Sequence, residues 1–369
     1  MGVHFASVRH AHGVLGSSVL GALLALHVLP TAAFAAEPES PARWILSIEA
    51  IALQRTASVN RTLVERVPGA VPFIATFTTP GTEAFNSNQF RQGLSVGPKI
   101  SLRYRYDSDY SIEASYFSTS TGSASSTIGP DSPADWLVMR APGAFWQTQD
   151  FAYQGMTWSD TSSLYSAEIN GRWSLSSRVT VLAGVRWLQL NDKLVGTLTP
   201  ADITQPTWKK ACPACDIFHI TAGDPAGVYP PFWTTSATNN LYGIQVGVDG
   251  QIFEFDRFSL DGFLKAGLFD NNAEQVTGVS LQKTVYPASA RTNRLAFASE
   301  AGLQLKYRLR QGLTLKVGYE ALWFSGVALA PAQIQQTHTS PSGAVSALGV
   351  DCGSNVLFQG VTFGLERAF

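Results

Sequence analysis

Few residues of this chain could do chemistry, and three of them are cysteines. Cys212 and Cys215 stand in the run CPACDIFH, which ends at His219, and the third cysteine is Cys352. A Cys-x-x-Cys spacing is typical of redox and metal sites. Structural zinc needs four well-placed ligands, whereas an exported chain meets an oxidising compartment, so we favour a disulfide. Two arrangements fit: Cys212 with Cys215, or one of these with Cys352.

Acid–base or nucleophilic catalysis would need a histidine placed beside carboxylates, or a recognisable nucleophile. Beyond residue 35 the histidines are His219 and His338, both in segments that read as loops. Neither neighbours an obvious pair of carboxylates, and the sequence has no nucleophile elbow and no phosphate-binding glycine loop. We therefore predict no catalytic residue, no metal, no cofactor and no enzymatic activity.

Residues 1–35 are predicted to be a secretory signal peptide. Arg9 precedes an apolar run over residues 14–29, and Ala33-Phe34-Ala35 forms a small-x-small cleavage site. The apolar run is short for a transmembrane helix, which needs roughly 20 residues. We expect residues 36–369 to form one exported domain.

The composition argues against nucleic-acid binding and for a lipid environment. The formal net charge is −1, so there is no basic field to attract nucleic acid. Charged residues make up 14% of the chain, where about 25% is usual for soluble domains, and aromatic residues make up 11%. An exported chain of this kind is typical of the bacterial outer membrane. The expected partners are the lipid bilayer and the machinery that assembles outer-membrane barrels.

Apolar and polar residues alternate with a period of two in ten segments. They cover residues 43–54, 92–106, 110–120, 163–175, 178–190, 240–255, 258–269 and 355–369, and two segments within 295–326, on either side of Arg310-Gln311-Gly312. Such lengths exceed the 5–6 residues of an ordinary strand and suffice for a tilted strand to cross a membrane, which takes about 9–11 residues.

Tight turns and long connections alternate between these segments. The predicted loops cover residues 55–91, 121–162, 191–239, 270–293 and 326–354. Outer-membrane barrels have short turns on one side and long loops on the other. We therefore predict an all-β fold, a transmembrane antiparallel up-and-down β-barrel of about ten strands. Counting residues 136–139 and 145–158 as a further strand pair would make twelve.

One face of each segment is apolar and the other is charged. Because a Lys or Arg at the bilayer midplane costs about 2–4 kcal/mol, the charged face is predicted to line the lumen. The predicted lumen-lining residues are Lys99, Arg103, Arg105, Glu113, Glu168, Arg172, Arg186, Asp261, Lys265, Glu300, Lys306, Arg308, Lys316, Glu320 and Glu366.

Aromatic residues on the apolar face fall near the segment ends, as expected for side chains at membrane interfaces. The predicted interface aromatics are Tyr104, Tyr116, Tyr165, Trp173, Trp187, Tyr242, Tyr307, Trp323 and Phe369.

The run GYEALWFSGVALAPAQ, residues 318–333, resembles the signature of the planctomycete β-barrel porin family, Gly-Tyr…Leu-Trp…Gly-Val-Ala-Leu-Ala-Pro-x-Gln. The run SIEAIALQR, residues 47–55, is similar to that family's first strand, except that members often carry paired aromatics where this chain has Ile51-Ala52. Phe369 resembles the terminal signal of outer-membrane barrels. The resemblance implies a porin-like outer-membrane barrel.

Ten strands is close to the size at which side chains fill a barrel, since open aqueous channels are usual at 16–18 strands. Long inward side chains of both signs would pair across such a lumen. We expect a porin-like barrel with a narrow or occluded mixed-charge lumen that passes small solutes or ions. The alternatives are a surface receptor, an adhesin or a structural envelope protein acting through its outer loops, and, with less support, an outer-membrane protease.

Overall fold

The computed structural model describes residues 43–56, 59–67, 80–129, 131, 136–139, 153–200, 232–281, 284–310, 312–339 and 345–369. The predicted signal peptide and the CPACDIFH run lie outside the described residues.

The described residues form sixteen β-strands and little helix. The strands are β1 (Trp44–Arg55), β2 (Thr62–Val67), β3 (Thr82–Asn86), β4 (Ser95–Arg105), β5 (Tyr110–Ser118), β6 (Gly122–Ile128), β7 (Trp136–Val138), β8 (Tyr153–Ser174), β9 (Val179–Pro200), β10 (Phe232–Phe255), β11 (Phe258–Leu281), β12 (Thr284–Arg310), β13 (Leu313–Val327), β14 (Thr337–Thr339), β15 (Val345–Ala347) and β16 (Ser354–Ala368). A short helix, α1 (Ala330–Gln333), and 3-10 turns at Ser87–Gln89 and Ile334–Gln336 complete the described elements. None of these helices is long and apolar enough to cross a membrane.

Ten strands close into an antiparallel ring in the order β1, β4, β5, β8, β9, β10, β11, β12, β13, β16. The ring closes where β16 pairs with β1, Ala368 opposite Ile45, and where β5 pairs with β8, Tyr110 opposite Trp173. β6 continues the line of β5 along β8. The predicted up-and-down barrel of ten strands is confirmed.

The alternative of twelve strands is wrong. β7, within residues 136–139, has three residues and pairs with β2 in a separate sheet of order β3–β2–β7. The described residues of 145–158 belong to the beginning of β8. A three-residue strand cannot cross a membrane, because crossing takes about 9–11 residues.

The turns at one end of the barrel are short and are closed by local interactions. Asp107 accepts hydrogen bonds from the backbone N–H groups of Asp109 and Tyr110 at 2.8 and 2.7 Å, as turn aspartates commonly do. Between β12 and β13, Gly312 has a φ of 73°, and a Cβ there would lie 2.8 Å from the carbonyl oxygen of Ala368. This position therefore needs glycine.

The outward face of β10 shows where the membrane ends. Tyr242, Ile244 and Val246 are 57%, 68% and 63% exposed, as expected for side chains that meet lipid. Beyond Tyr242 the outward residues become polar: Asn240, Thr238, Ser236 and Thr234. The apolar band covers about 10 residues per strand, roughly 25 Å of height in a tilted strand. We call the strand portions on the turn side of this level the membrane-spanning part.

Five strands continue beyond this level on one side of the barrel. β8 to β12 have 22 to 27 residues, whereas β1, β4, β13 and β16 have 11 to 15. We call these five extensions the outer wall. Much of the segments 121–162, 191–239 and 270–293, which the sequence pattern assigned to loops, is therefore strand. Outside lipid both faces carry many small and polar residues, so the contrast that marks a transmembrane strand is weak.

The shorter elements pack against the concave face of the outer wall. The sheet β3–β2–β7 and helix α1 contribute buried apolar side chains that meet those of β8 to β11. This cluster contains Leu63, Val64, Phe85, Phe90, Ile128, Leu137, Met139, Met156, Trp158, Leu194, Trp233, Val279, Ala330 and Ile334. The described parts of these connections thus pack into the mouth of the barrel.

Candidate functional site: the barrel lumen

Charged side chains fill the lumen of the membrane-spanning part and pair across it. Lys99 on β4 pairs with Glu320 on β13, three strands away around the ring. Lys265 on β11 lies 2.5 Å from Glu168 on β8, again three strands away. Partners on neighbouring strands would lie side by side along the wall. Because the partners of these two pairs stand three strands apart, both pairs cross the bore.

Arg186 joins the cross-lumen pairs into one network. Its guanidinium lies 2.6 Å from a carboxylate oxygen of Glu300 and 3.6 Å from one of Glu168, and all three side chains are at most 4% exposed. Gln245 donates a hydrogen bond to Glu168 at 2.7 Å. Burial of a charge is costly unless a partner of opposite charge is held in place, and the network supplies those partners.

A second group of ion pairs lies nearer the short turns, on β4, β5, β8 and β10. Glu113 lies 2.6 Å from Arg103 and 3.3 Å from Arg172. Arg172 also pairs with Asp249 on β10. Glu113 thus forms ion pairs with both Arg103 and Arg172, and Arg172 links Glu113 to Asp249.

The other side of the lumen carries comparable pairs. Lys316 on β13 lies 2.7 Å from Glu49 on β1 and 3.5 Å from Glu366 on β16. Lys306 lies 2.6 Å from Asp261. Charged and polar residues of these groups line a cavity of about 310 Å³ that extends to the turn residues 177 and 178.

The structure places thirteen of the fifteen predicted lumen residues in these ion pairs on the inner face. Arg105 is half-buried near the short turns. Arg308 lies on the same face of β12 as Lys306, but near the rim of the barrel, where its side chain is 54% exposed and pairs with Glu254. The prediction missed Glu49 and Asp249, although both lie on the inward face of their strands.

Directly above the charged network the inward side chains of the strands become apolar and form a buried layer. Leu188 follows Arg186 by two positions on the inner face of β9, and Leu322 follows Glu320 in the same way on β13. The buried residues of this layer are Ile51, Leu53, Phe117, Leu164, Leu188, Leu190, Leu241, Phe269, Ala296, Ala298, Leu322, Phe324, Val327, Leu329, Val356 and Phe358.

Residues 326–333, which we call the signature segment, turn into the bore at the end of β13. Gly326 has a φ of 80°, and a Cβ there would lie 2.8 Å from the carbonyl oxygen of Leu295. The pairing register of β13 shifts at this point, between Ser325 and Val327. The chain then leaves the wall, and Ala328 is completely buried.

Side chains of the opposite wall hold the signature segment. Asn239 on β10 donates to the carbonyl oxygen of Ala328 and accepts from its N–H, both at 2.7 Å. Asn271 on β11 donates to the carbonyl oxygen of Gly326 at 3.1 Å. Asp192 on β9 accepts from the N–H of Ala330 at 2.7 Å. The segment therefore spans the bore from β13 to β9.

Asp192 also belongs to a buried cluster centred on Arg55. The guanidinium of Arg55 lies 2.5 Å from Asp192 and 3.4 Å from Asp160, and Gln92 donates to Asp160 at 2.8 Å. Asp160 lies on the outer wall, beyond Tyr165 and outside the membrane-spanning part. Burial and, next, the charge of Asp192 raise the pKa of Asp160 to about 7. Asp192 is the nearer of the two carboxylates that face Arg55.

The sequence prediction missed Arg55, Asp160, Asp192, Asn239 and Asn271. All five fall within or at the edge of segments predicted as loops. The clue was the signature run itself: its carbonyl and N–H groups need partners if it is buried, and short polar side chains on the facing strands can supply them.

All nine predicted interface aromatics lie on the outward face. Ring contacts at the turn end of the barrel include Trp44 with Tyr104, whose centroids are 4.7 Å apart. At the other level Trp187 lies directly opposite Tyr242 in the β9–β10 pairing.

Of the cysteines and histidines singled out in the sequence, the structure describes Cys352 and His338. Cys212, Cys215 and His219 lie outside the described residues. Cys352 is half-buried and forms no disulfide within the described residues, and burial together with the neighbouring Asp351 raises the pKa of its thiol. His338, on β14, is exposed. No metal-binding group of three or more His, Cys, Asp or Glu side chains occurs in the part of the chain that the structure describes.

Comparison with known proteins finds one family. The model of the family described as "Putative beta barrel porin-7 (BBP7)" matches residues 151–369, more than half of the chain. No curated protein matches the chain.

Solved structures of outer-membrane proteins are distantly similar to this chain. The outer membrane protease OmpT from Escherichia coli is 9% identical with a TM-score of 0.47, and the match covers 90% of this chain and 99% of that one. The Pseudomonas putida toluene transporter TodX is 12% identical with a TM-score of 0.31, covering 90% and 91%. A Pseudomonas aeruginosa FadL homologue is 10% identical with a TM-score of 0.26, covering 89% and 90%. Likenesses this distant say nothing about the activity of this chain.

Proposed function

The chain belongs to the beta barrel porin-7 family and is an outer-membrane β-barrel protein, and from this premise we propose that it is a porin-like barrel whose lumen is closed at rest. Small solutes or ions pass only when the signature segment leaves the bore. We propose no catalytic role for the protein. We further propose that the N-terminal signal peptide directs its export and that the barrel assembly machinery inserts it through the C-terminal strand β16.

The observation that carries this proposal is the apolar layer across the lumen. The signature segment is part of that layer, since Val327 and Leu329 pack within it. Removing the segment would take Val327 and Leu329 out of this layer and uncover the polar side chains that hold the segment, such as Asn239 and Asp192. Water could then reach the ion pairs below, such as Lys99–Glu320, and solvated side chains of this length can swing aside.

Planar-bilayer recording with a plug-releasing variant tests the proposal. Asn239→Ala combined with Asn271→Ala removes three hydrogen bonds to the signature segment. We expect the wild type to be silent with rare openings, and the double variant to show steady conductance steps. Thr238→Ala is the matched control, because Thr238 is next to Asn239 but faces outward.

Two results would refute a closed porin. Steady wild-type conductance equal to that of the double variant would mean that the segment does not close the bore. Silence of the double variant and of a chain lacking residues 328–333 would mean that the barrel does not conduct.

A surface receptor is the second candidate, and the one-sided outer wall supports it. Five strands raise a polar surface well beyond the lipid, which a simple pore does not need. Silence of every plug variant, together with whole-cell binding of a ligand that is lost when the outer wall is altered, would favour this candidate.

A further inference from the structure

Amide side chains form a row on the outer wall just beyond the lipid. Gln189, Asn240, Asn272 and Asn293 lie opposite one another on β9, β10, β11 and β12. All four face outward, and Asn272 and Asn293 are exposed. Within the described residues no hydrogen bond engages the side chains of Asn240, Asn272 and Asn293. We call these four residues the amide row.

The height of the amide row places it at the level of lipid headgroups. The next outward row toward the membrane contains Trp187 opposite Tyr242, the aromatic level at which the apolar band ends. Aromatic side chains of barrels mark the membrane interface. Whatever headgroups the outer leaflet carries therefore contact the amide row.

The surroundings of the row are polar, and the row below carries an exposed acid, Asp270, opposite Tyr242. In the next row outward, Arg291 pairs with Glu274 at 2.9 Å, and Asn191 donates to Ser163 at 3.3 Å. A phosphate-rich headgroup layer would favour clustered Arg or Lys, since these bind phosphate by charge. Here the cation of the adjacent row, Arg291, is already neutralised by Glu274, and the outward Lys193 lies two rows from the amide row.

We propose that the amide row binds the uncharged sugar headgroups of glycolipids in the outer leaflet. A primary amide offers donors and an acceptor side by side, which match the vicinal hydroxyls of a pyranose. The rings of Trp187 and Tyr242 lie one row below, where they can stack on the apolar C–H face of the sugar. The lipid tail would then continue along Ile244 and Val246. This binding does not depend on whether the barrel conducts.

Lipid retention measured by native mass spectrometry tests the proposal. The protein is incorporated into nanodiscs that contain equal amounts of digalactosyl diacylglycerol and phosphatidylglycerol with the same acyl chains, and is then released. We expect preferential retention of the galactolipid. Asn240→Leu with Asn272→Leu should lower that retention on the order of ten-fold, because two amide partners are lost.

The matched control is Gln359→Leu, which removes an outward amide on β16, two strands from β12 around the ring and within the lipid band. It should leave galactolipid retention unchanged. Equal retention of both lipids by the wild type, or preferential retention of phosphatidylglycerol, would overturn the proposal whatever the variants show. Displacement of the galactolipid by free lactose at low concentration would also contradict it, because the site would then be one for soluble sugar.

Discussion

At the residue scale, single buried charges hold several lumen side chains together. Arg186 is the common partner of Glu168 and Glu300, and its own side chain is 3% exposed. Removing one member of a buried ion pair leaves an unpaired charge, which costs more than the pair contributes when intact. The stability of the barrel should therefore depend strongly on this one cation.

We predict that Arg186→Met lowers the free energy of unfolding by about 3–5 kcal/mol, since two carboxylates lose a buried partner. Reversible urea unfolding of the barrel in lipid vesicles measures the change. Arg308→Met is the control, because Arg308 pairs with Glu254 at an exposed rim and should change stability by about 0–1 kcal/mol. Similar losses of unfolding free energy in the two variants would show that the lumen is hydrated. Its ion pairs would then contribute no more to stability than surface pairs do.

At the scale of elements, the signature segment is held by backbone geometry as well as by side chains. Gly326 adopts a positive φ where β13 ends, and its carbonyl oxygen accepts from Asn271. Any side chain at this position would both strain the backbone and meet the carbonyl oxygen of Leu295. The inward turn therefore depends on this glycine.

We predict that Gly326→Val expels the signature segment from the bore while the ring of strands remains. Backbone strain of about 1–3 kcal/mol, added to the clash, outweighs the few hydrogen bonds that hold the segment. Limited proteolysis should cleave near Ala328 in the variant and not in the wild type. Gly349→Ala is the control, because a Cβ there meets nothing closer than 3.8 Å. Protection of Ala328 in both proteins would show that the segment is held by packing alone.

At the scale of the whole molecule, lipid surrounds only part of the barrel. β10 passes through both environments: Val246 faces the apolar band, and Ser236 faces outward on the outer wall. The same outward face therefore meets hydrocarbon at one level and water at another. This difference can be tested with one substitution placed at two heights.

We predict that Val246→Arg reduces the free energy of insertion by about 2–4 kcal/mol, whereas Ser236→Arg changes it by less than about 1 kcal/mol. The folded fraction in lipid vesicles, followed by circular dichroism across a urea series, measures both values. A large loss for Ser236→Arg would mean that the apolar band extends higher than Tyr242.

Some features follow from the sequence alone because lipid imposes a local rule. Each side chain in a transmembrane strand is either outside in hydrocarbon or inside, so alternation along β12 assigns Glu300 and Lys306 to the lumen without any knowledge of their partners. The alternation of tight turns with long connections likewise predicts ten strands. Outside the lipid this rule lapses, and residues such as Asn239 and Asp192 read as loop although they lie in strands.

Only the tertiary structure decides which inward groups meet. Lys99 finds Glu320, and Lys316 finds Glu49, because closure of the ring brings the first and last strands of the chain together. The inward course of the signature segment depends equally on closure, since its partners Asn239 and Asp192 stand on the far wall. Period-two alternation tells which way a side chain points, but the distance across a closed cylinder determines what it touches.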